Sequence, residues 1–242
     1  MPQANFPSIG QITHFIASYP HLEQLELSYT NFKSPPSQTI AEPVPARLKS
    51  LRFGSFRDVE LLGWLLHNQP VPALSTLEIG YIAIAQIPLA CRLITASGPT
   101  LKHLRIALDY DLVPGNLHHT VDLAWNTKLQ YIQLESSVPL LSLPSPDDFT
   151  RSFPTILSTV TSYKVKEIVL VADDTGFHSL EPHDWELMAS VLASPQFASL
   201  RSIRCRPVGA ADDGPTEELT RKGLEQCASR GILSVETCGF NN

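Results

Sequence analysis

Seven times along the chain, apolar residues stand at the first, fourth and sixth positions of a short segment. The copies are Leu22/Leu25/Leu27, Leu48/Leu51/Phe53, Leu74/Leu77/Ile79, Leu101/Leu104/Ile106, Leu129/Ile132/Leu134, Val165/Ile168/Leu170 and Leu200/Ile203/Cys205. A degenerate eighth copy is Ile232/Val235/Thr237. The first five start 26, 26, 27 and 28 residues apart, and the later gaps are 36, 35 and 32. A pattern that returns at such a period is one supersecondary unit used repeatedly, and the period decides what the chain can fold into.

Residues at positions 4 and 6 lie two apart, so a strand sends both to one face. Strands are expected near 25–27, 51–53, 77–79, 104–106, 132–134, 166–171, 202–205 and 233–237. Helix-period apolar patterns fill the intervals. They are expected at 7–19 (Ile9, Ile12, Phe15, Ile16, Tyr19), 58–68, 84–96, 117–125, 148–162, the stretch presenting Trp185, Met188, Ala189 and Leu192, and from Thr216 to about Arg230. Pro88 predicts a late start or a kink in the third of these. Ser55 with Asp58 makes a partial capping box, and Thr216 is a candidate cap.

Each unit is then strand, turn, helix, return, which joins parallel strands by right-handed crossovers. One unit cannot bury both its sheet and its helix face, but eight stacked units share one core. Strands stack about 4.8 Å apart and helices need about 10 Å, so the array must curve with strands inside. This is the leucine-rich repeat signature. The expected fold is an α/β solenoid, a ribonuclease-inhibitor-like horseshoe, as a single domain over residues 1–242 with a parallel sheet on the concave face and helices on the convex face.

Composition agrees with a globular repeat array: 43% hydrophobic, 17% charged, net charge -6. That charge argues against a broad phosphate-binding surface, so no nucleic-acid partner is expected. No basic start followed by an apolar run marks a signal peptide, and no run approaches the ~20 apolar residues of a membrane span. The expectation is an intracellular protein of cytoplasm or nucleus with no membrane partner. None of the four cysteines forms a CxxC pair, and Cys91 and Cys205 fall on apolar positions, as structural thiols do.

If positions 4 and 6 face the core, positions 3, 5 and 7 line the concave face. The central row reads Glu26, Arg52, Glu78, Arg105, Gln133, Val169, Arg204, Glu236. Its first four members alternate in sign, which fits a ladder of cross-strand ion pairs or a polar recognition groove. Ser28, Gly54, Gly80 and Ala107 would leave open floor beside that row. Tyr131, Gln133 and Glu135, flanked by His103 and Arg105, have the aromatic-among-polar composition of a binding hot spot. Arg204 and Arg206 form a basic spot that suits an acidic or phosphorylated peptide, or pairs with Glu167 and Glu236. The candidate protein-binding residues are Arg52, Glu78, His103, Arg105, Tyr131, Gln133, Glu135, Arg204 and Arg206.

Catalytic motifs are missing: there is no G-x-S-x-G elbow, phosphate loop or dinucleotide fingerprint. His118 and Asp122 share a helical side with His119 beside them, which falls short of a metal site. Asp109-Tyr110-Asp111 and Asp212-Asp213-Gly214 lack calcium-loop spacing, and His178, His183 and Asp184 read as surface and capping residues. A broad groove also suits catalysis poorly, since catalysis uses a water-excluding pocket. No enzyme activity, cofactor or metal is expected.

Three phrases carry a family resemblance: Ile16-Ala17-Ser18-Tyr19-Pro20-His21-Leu22-Glu23-Gln24-Leu25-Glu26-Leu27, Pro99-Thr100-Leu101-Lys102-His103-Leu104-Arg105-Ile106, and Arg230-Gly231-Ile232-Leu233-Ser234-Val235. The chain resembles the leucine-rich repeat region of fungal, basidiomycete-type F-box/leucine-rich-repeat-like proteins. In such proteins an F-box docks on a Skp1-like adaptor while the repeats hold a substrate for ubiquitination. The first repeat helix here begins by about residue 7, with no room for an F-box before it. The adaptor is therefore expected as a partner only if an upstream F-box exists. The resemblance implies substrate-recognition repeats of a ubiquitin ligase subunit; the alternative is a stand-alone repeat scaffold with no ubiquitination role. The asparagine common at the ninth repeat position is replaced by Thr30, Phe56, Ile82, Asp109, Ser137 and Asp173, so backbone groups in the turns after the strands need other partners.

Overall fold

The computed structural model describes residues 8–27, 42–54, 59–68, 71–82, 86–109, 121–137, 152–173, 177–178, 180–208 and 214–236. Eight strands form one sheet in sequence order: β1 (Gln24–Leu27), β2 (Ser50–Phe53), β3 (Thr76–Ile82), β4 (His103–Asp109), β5 (Tyr131–Ser137), β6 (Glu167–Asp173), β7 (Ser202–Val208) and β8 (Leu233–Val235). Every neighbouring pair is parallel. The helices are α1 (Ile9–Ala17), α2 (Val59–His67), α3 (Ile87–Ser97), α4 (Phe153–Ser158), α5 (Pro182–Leu192), α6 (Gly214–Gly223) and α7 (Glu225–Ser229). The protein is α/β.

The register follows the apolar spacing. Leu25, Leu51, Leu77, Leu104, Ile132, Ile168 and Ile203 stand side by side across seven strands, as do Glu26, Arg52, Glu78, Arg105, Gln133, Val169 and Arg204. The first set joins Leu61, Leu62, Leu65, Leu93, Ile94, Ile156, Trp185 and Met188 of the helices in one core. A second device fixes the strand starts. The carbonyl just before a strand accepts two N–H groups from the next unit, so Lys49 O takes those of Ser75 and Thr76 at 2.7 and 3.1 Å. The same fork recurs at Glu23, Ser75, Lys102, Gln130 and Lys166.

Side-chain donors tie together the returns that lead into the strands. Asn126 Nδ2 donates to Ile94 O and Gly98 O at 2.9 and 3.1 Å, closing the end of α3. Thr100 Oγ1 donates to Leu74 O, and Ser162 Oγ to Leu129 O. Each hydroxyl or amide reaches back one unit, so consecutive turns are tied together.

Several expectations need correction. Phe15 and Tyr19 are not core residues: both are about half exposed and pack edge-on against each other, while Ile9, Ile12 and Ile16 are buried. Pro88 produces a late helix start, at Ile87. Residues 121–125 are not helical. They turn, with Ala124 N donating to Asp122 Oδ1, so Val121 and Leu123 are buried and Trp125 is exposed. Of the helix expected at 148–162, residues 148–151 lie outside the described residues, and the described part forms α4, followed by a turn whose Thr159 Oγ1 accepts from Leu123 N. Thr216 lies within the first turn of α6, bonded to His178 Nε2, and the helix breaks at Leu224.

The last strand is offset by two residues. Ile203 pairs with Leu233 and Cys205 with Val235, so Ser234, not Glu236, stands beside Arg204. The cause is the end of α7. Gly231, at φ 67°, lets its N–H reach Ala228 O and that of Ile232 reach Cys227 O, which returns the chain to the sheet early. His118, His119, Ser28, Ser55, Asp58 and the loops Asp109-Tyr110-Asp111 (beyond Asp109) and Asp212-Asp213 lie outside the described residues.

Candidate functional site

The face of the sheet opposite the core carries the odd-numbered repeat positions, and its polar side chains are tied to one another. Arg52 Nε lies 3.1 Å from Glu78 Oε1 across β2 and β3. On β4 and β5 the partner is diagonal: Arg105 Nη2 and Nε donate to Glu135 Oε2 at 2.8 and 3.2 Å. Gln133 Nε2 donates to the same oxygen at 3.3 Å, and Gln133 Oε1 accepts from the Tyr131 hydroxyl at 2.6 Å. A chain of hydrogen bonds thus runs from Tyr131 through Gln133 to Glu135 and Arg105.

Further along, Arg204 pairs with Glu167 and reaches Glu236 at 3.7 Å, while Arg206 Nε meets Glu236 Oε2 at 2.6 Å. The two-residue offset of β8 is what brings Glu236 opposite Arg206. Each of the four face arginines therefore has a carboxylate. Paired guanidinium groups of this kind are held in one orientation, with edges still presented to solvent.

His103 stacks on Tyr131, with ring centroids 5.9 Å apart and planes 30° from parallel. Burial pushes the Tyr131 phenol above its ordinary range; Arg204, Arg206 and Arg105 oppose that shift, and Glu78 adds to it. Tyr131 consequently stays a neutral hydrogen-bond donor over the physiological range.

The open floor expected beside the central row is not all there. Gly80 is small because the Gly54 carbonyl oxygen lies where its Cβ would be, 1.5 Å away, next to a register shift between Ile79 and Ile82. Ala107 is wholly buried, Val171 is buried, and Val169 in the central row is buried too. Val169 stands in register between Gln133 and Arg204, and Val171 between Glu135 and Arg206, so longer neighbours overhang both. Glu135 is itself buried at 8% exposure. It is an internal anchor for Arg105 more than a surface carboxylate, a role that its apolar flanks, Ala107 and Val171, already hinted at.

What stays open is a cavity of ≈ 700 Å³ lined by Arg52, Thr76, Glu78, His103, Leu104, Arg105, Tyr131, Gln133 and Arg206. Seven of the nine predicted face residues line it; Glu135 lies behind Arg105, and Arg204 is engaged with Glu167. Thr76 and Leu104 complete the wall. Side chains from β2 and β7 share this one cavity although four strands separate them in the sheet order.

Among the described residues there is no group of three or more metal-ligating side chains and no helix long and apolar enough to cross a membrane. The chain matches no protein-family model, and no curated protein matches it.

Proposed function

We propose that the chain is a leucine-rich repeat horseshoe whose open sheet face holds a protein or peptide partner. The observation that carries this reading is the cavity over β2–β7, where polar side chains are already fixed by the sheet and by mutual ion pairs. Groups held before binding lose little entropy on binding. The sharing of one cavity by Arg52 and Arg206 fits a sheet that curls, as stacked strand–helix units require. The stacked His103–Tyr131 pair supplies aromatic area at the centre, where binding energy concentrates.

The phrases shared with fungal F-box repeat proteins support reading that partner as a ubiquitination substrate. Proximity labelling in the source cell identifies the partner, and titration of Tyr131→Ala and His103→Ala tests the face. Each substitution is expected to weaken binding by about 1–4 kcal/mol with the fold intact. Wild-type affinity in both variants moves the site off this face.

A further inference from the structure

The margin of the sheet where the strands begin differs in composition from the rest of the molecule. Lys102, Gln130, Lys166 and Arg201 immediately precede β4, β5, β6 and β7, and Lys128 and Lys164 stand two positions ahead of Gln130 and Lys166. Backbone bonds hold these starts side by side: Gln130 N to Lys102 O at 2.8 Å, Lys166 N to Gln130 O at 2.9 Å and Arg201 N to Lys166 O at 2.8 Å. All five cations are exposed. Among the described residues none of them pairs with a carboxylate, whereas each arginine of the open face does. The nearby acid, Asp122, uses Oδ1 to accept from Ala124 N.

Two aromatics accompany these charges. Trp125 and Tyr163, 65% and 67% exposed, are the most exposed large hydrophobic side chains among the described residues. Their segments run side by side: Thr161 Oγ1 donates to Ala124 O at 2.7 Å, and Ser162 Oγ to Leu129 O at 2.8 Å. Isolated exposed aromatics are unremarkable; two on adjacent segments amid five unpaired cations are a surface with a defined chemical preference.

We propose that this rim is a second binding surface, separate from the open face, for an acidic polypeptide segment. Its carboxylates meet Lys102, Lys128, Lys164, Lys166 and Arg201, and an apolar or aromatic side chain lies on Trp125 and Tyr163. Four strand starts about 4.8 Å apart span about 14 Å, the length of four or five extended residues. A nucleic acid fits less well. The whole chain carries 18 Lys and Arg against 24 Asp and Glu, so beyond this short rim an extended phosphate backbone meets a repelling field.

The test uses the full chain and a labelled peptide of about ten alternating Asp and Glu residues with one central Phe, followed by fluorescence anisotropy at low salt. Saturable binding is expected, more than about tenfold weaker in the double variant Lys164→Glu/Lys166→Glu. Trp125→Ala should weaken it too, and Arg52→Ala on the open face should not. A ligand-free measurement runs alongside. Trp64 and Trp185 are buried, so collisional quenching reports Trp125. Iodide should then quench more strongly than caesium in the wild type, and the preference should vanish in the charge-reversed variant. Absence of saturable binding, equal affinity in the charge-reversed variant, tighter binding of single-stranded RNA of equal charge, or caesium quenching at least as strong as iodide would each overturn the proposal.

Discussion

Arg105 and Glu135 invite a double-mutant cycle, because the two ends of their ion pair differ in burial. The Arg105 side chain is 36% exposed and that of Glu135 11%. Removing Arg105 leaves a buried carboxylate with Gln133 as its remaining donor within this hydrogen-bonded chain. Removing Glu135 leaves a guanidinium that can turn toward water. Loss of one partner from a fully buried pair costs about 3–5 kcal/mol, and a hydrogen bond to a charged group is worth about 1.5–3 kcal/mol. Partial exposure of Arg105 lowers both figures. The expected costs are about 2–3 kcal/mol for Arg105→Ala and about 1–2 kcal/mol for Glu135→Ala. The double variant should fall short of their sum by about 1–2 kcal/mol, the coupling of the pair. Urea unfolding followed by circular dichroism, with unchanged slopes as the control, measures all three. A cost below about 0.5 kcal/mol for Arg105→Ala, or a larger cost for Glu135→Ala than for Arg105→Ala, refutes the reasoning from burial. The same cycle guards the binding test, since a loss of affinity in Arg105→Ala includes a loss of anchoring.

Gly223→Ala should destabilise by about 1–3 kcal/mol, because a Cβ there would come within 2.5 Å of the Trp185 ring; an unchanged urea midpoint would show that the ring yields freely. Leu104→Ala, in the fully buried row at the centre of the sheet, should cost about 2–5 kcal/mol by the same assay, and under about 1 kcal/mol would remove Leu104 from the core. Burial pushes the Cys205 thiol up to about 12 from an ordinary 9.0. Its contribution is therefore fully present below about pH 9 and is lost as pH rises toward 12, at up to about 1.4 kcal/mol per pH unit. Unfolding midpoints taken across that range should fall less steeply for Cys205→Val than for wild type, and identical slopes would contradict the assignment.

The apolar triplets made the register of seven strands readable, because a two-residue side-chain period admits no compromise between faces. The same logic failed at β8, where parity was right but position was wrong by two. Gly231 sets that offset through a left-handed backbone, which an apolar count does not register. Residues 121–125 show the converse error. Val121 and Leu123 alternate as an extended segment does, yet the flanking apolar residues mimic a helical period. On the open face, which residues would meet was legible from the rows. Which would bond was less so, because long side chains such as Arg105 choose diagonal partners by burial. Asp and Asn chemistry in the turns, as at Asn126, carries no periodic signal at all.

The forked carbonyls before the strands make the two margins of the sheet unequal. At one margin, from β1 to β7, each unit is clamped to the next by two N–H groups on a single oxygen. Successive units nevertheless differ in length, from 26 to 36 residues. Added length is therefore accommodated between clamps and never at them. Insertion tolerance is polarised: the chain leaving a strand can grow without altering register, while one residue added next to Lys102 or Lys166 would break a clamp and turn the following strand inside out. The basic rim lies on the clamped margin, so its charges keep a fixed spacing whatever the loops between units do.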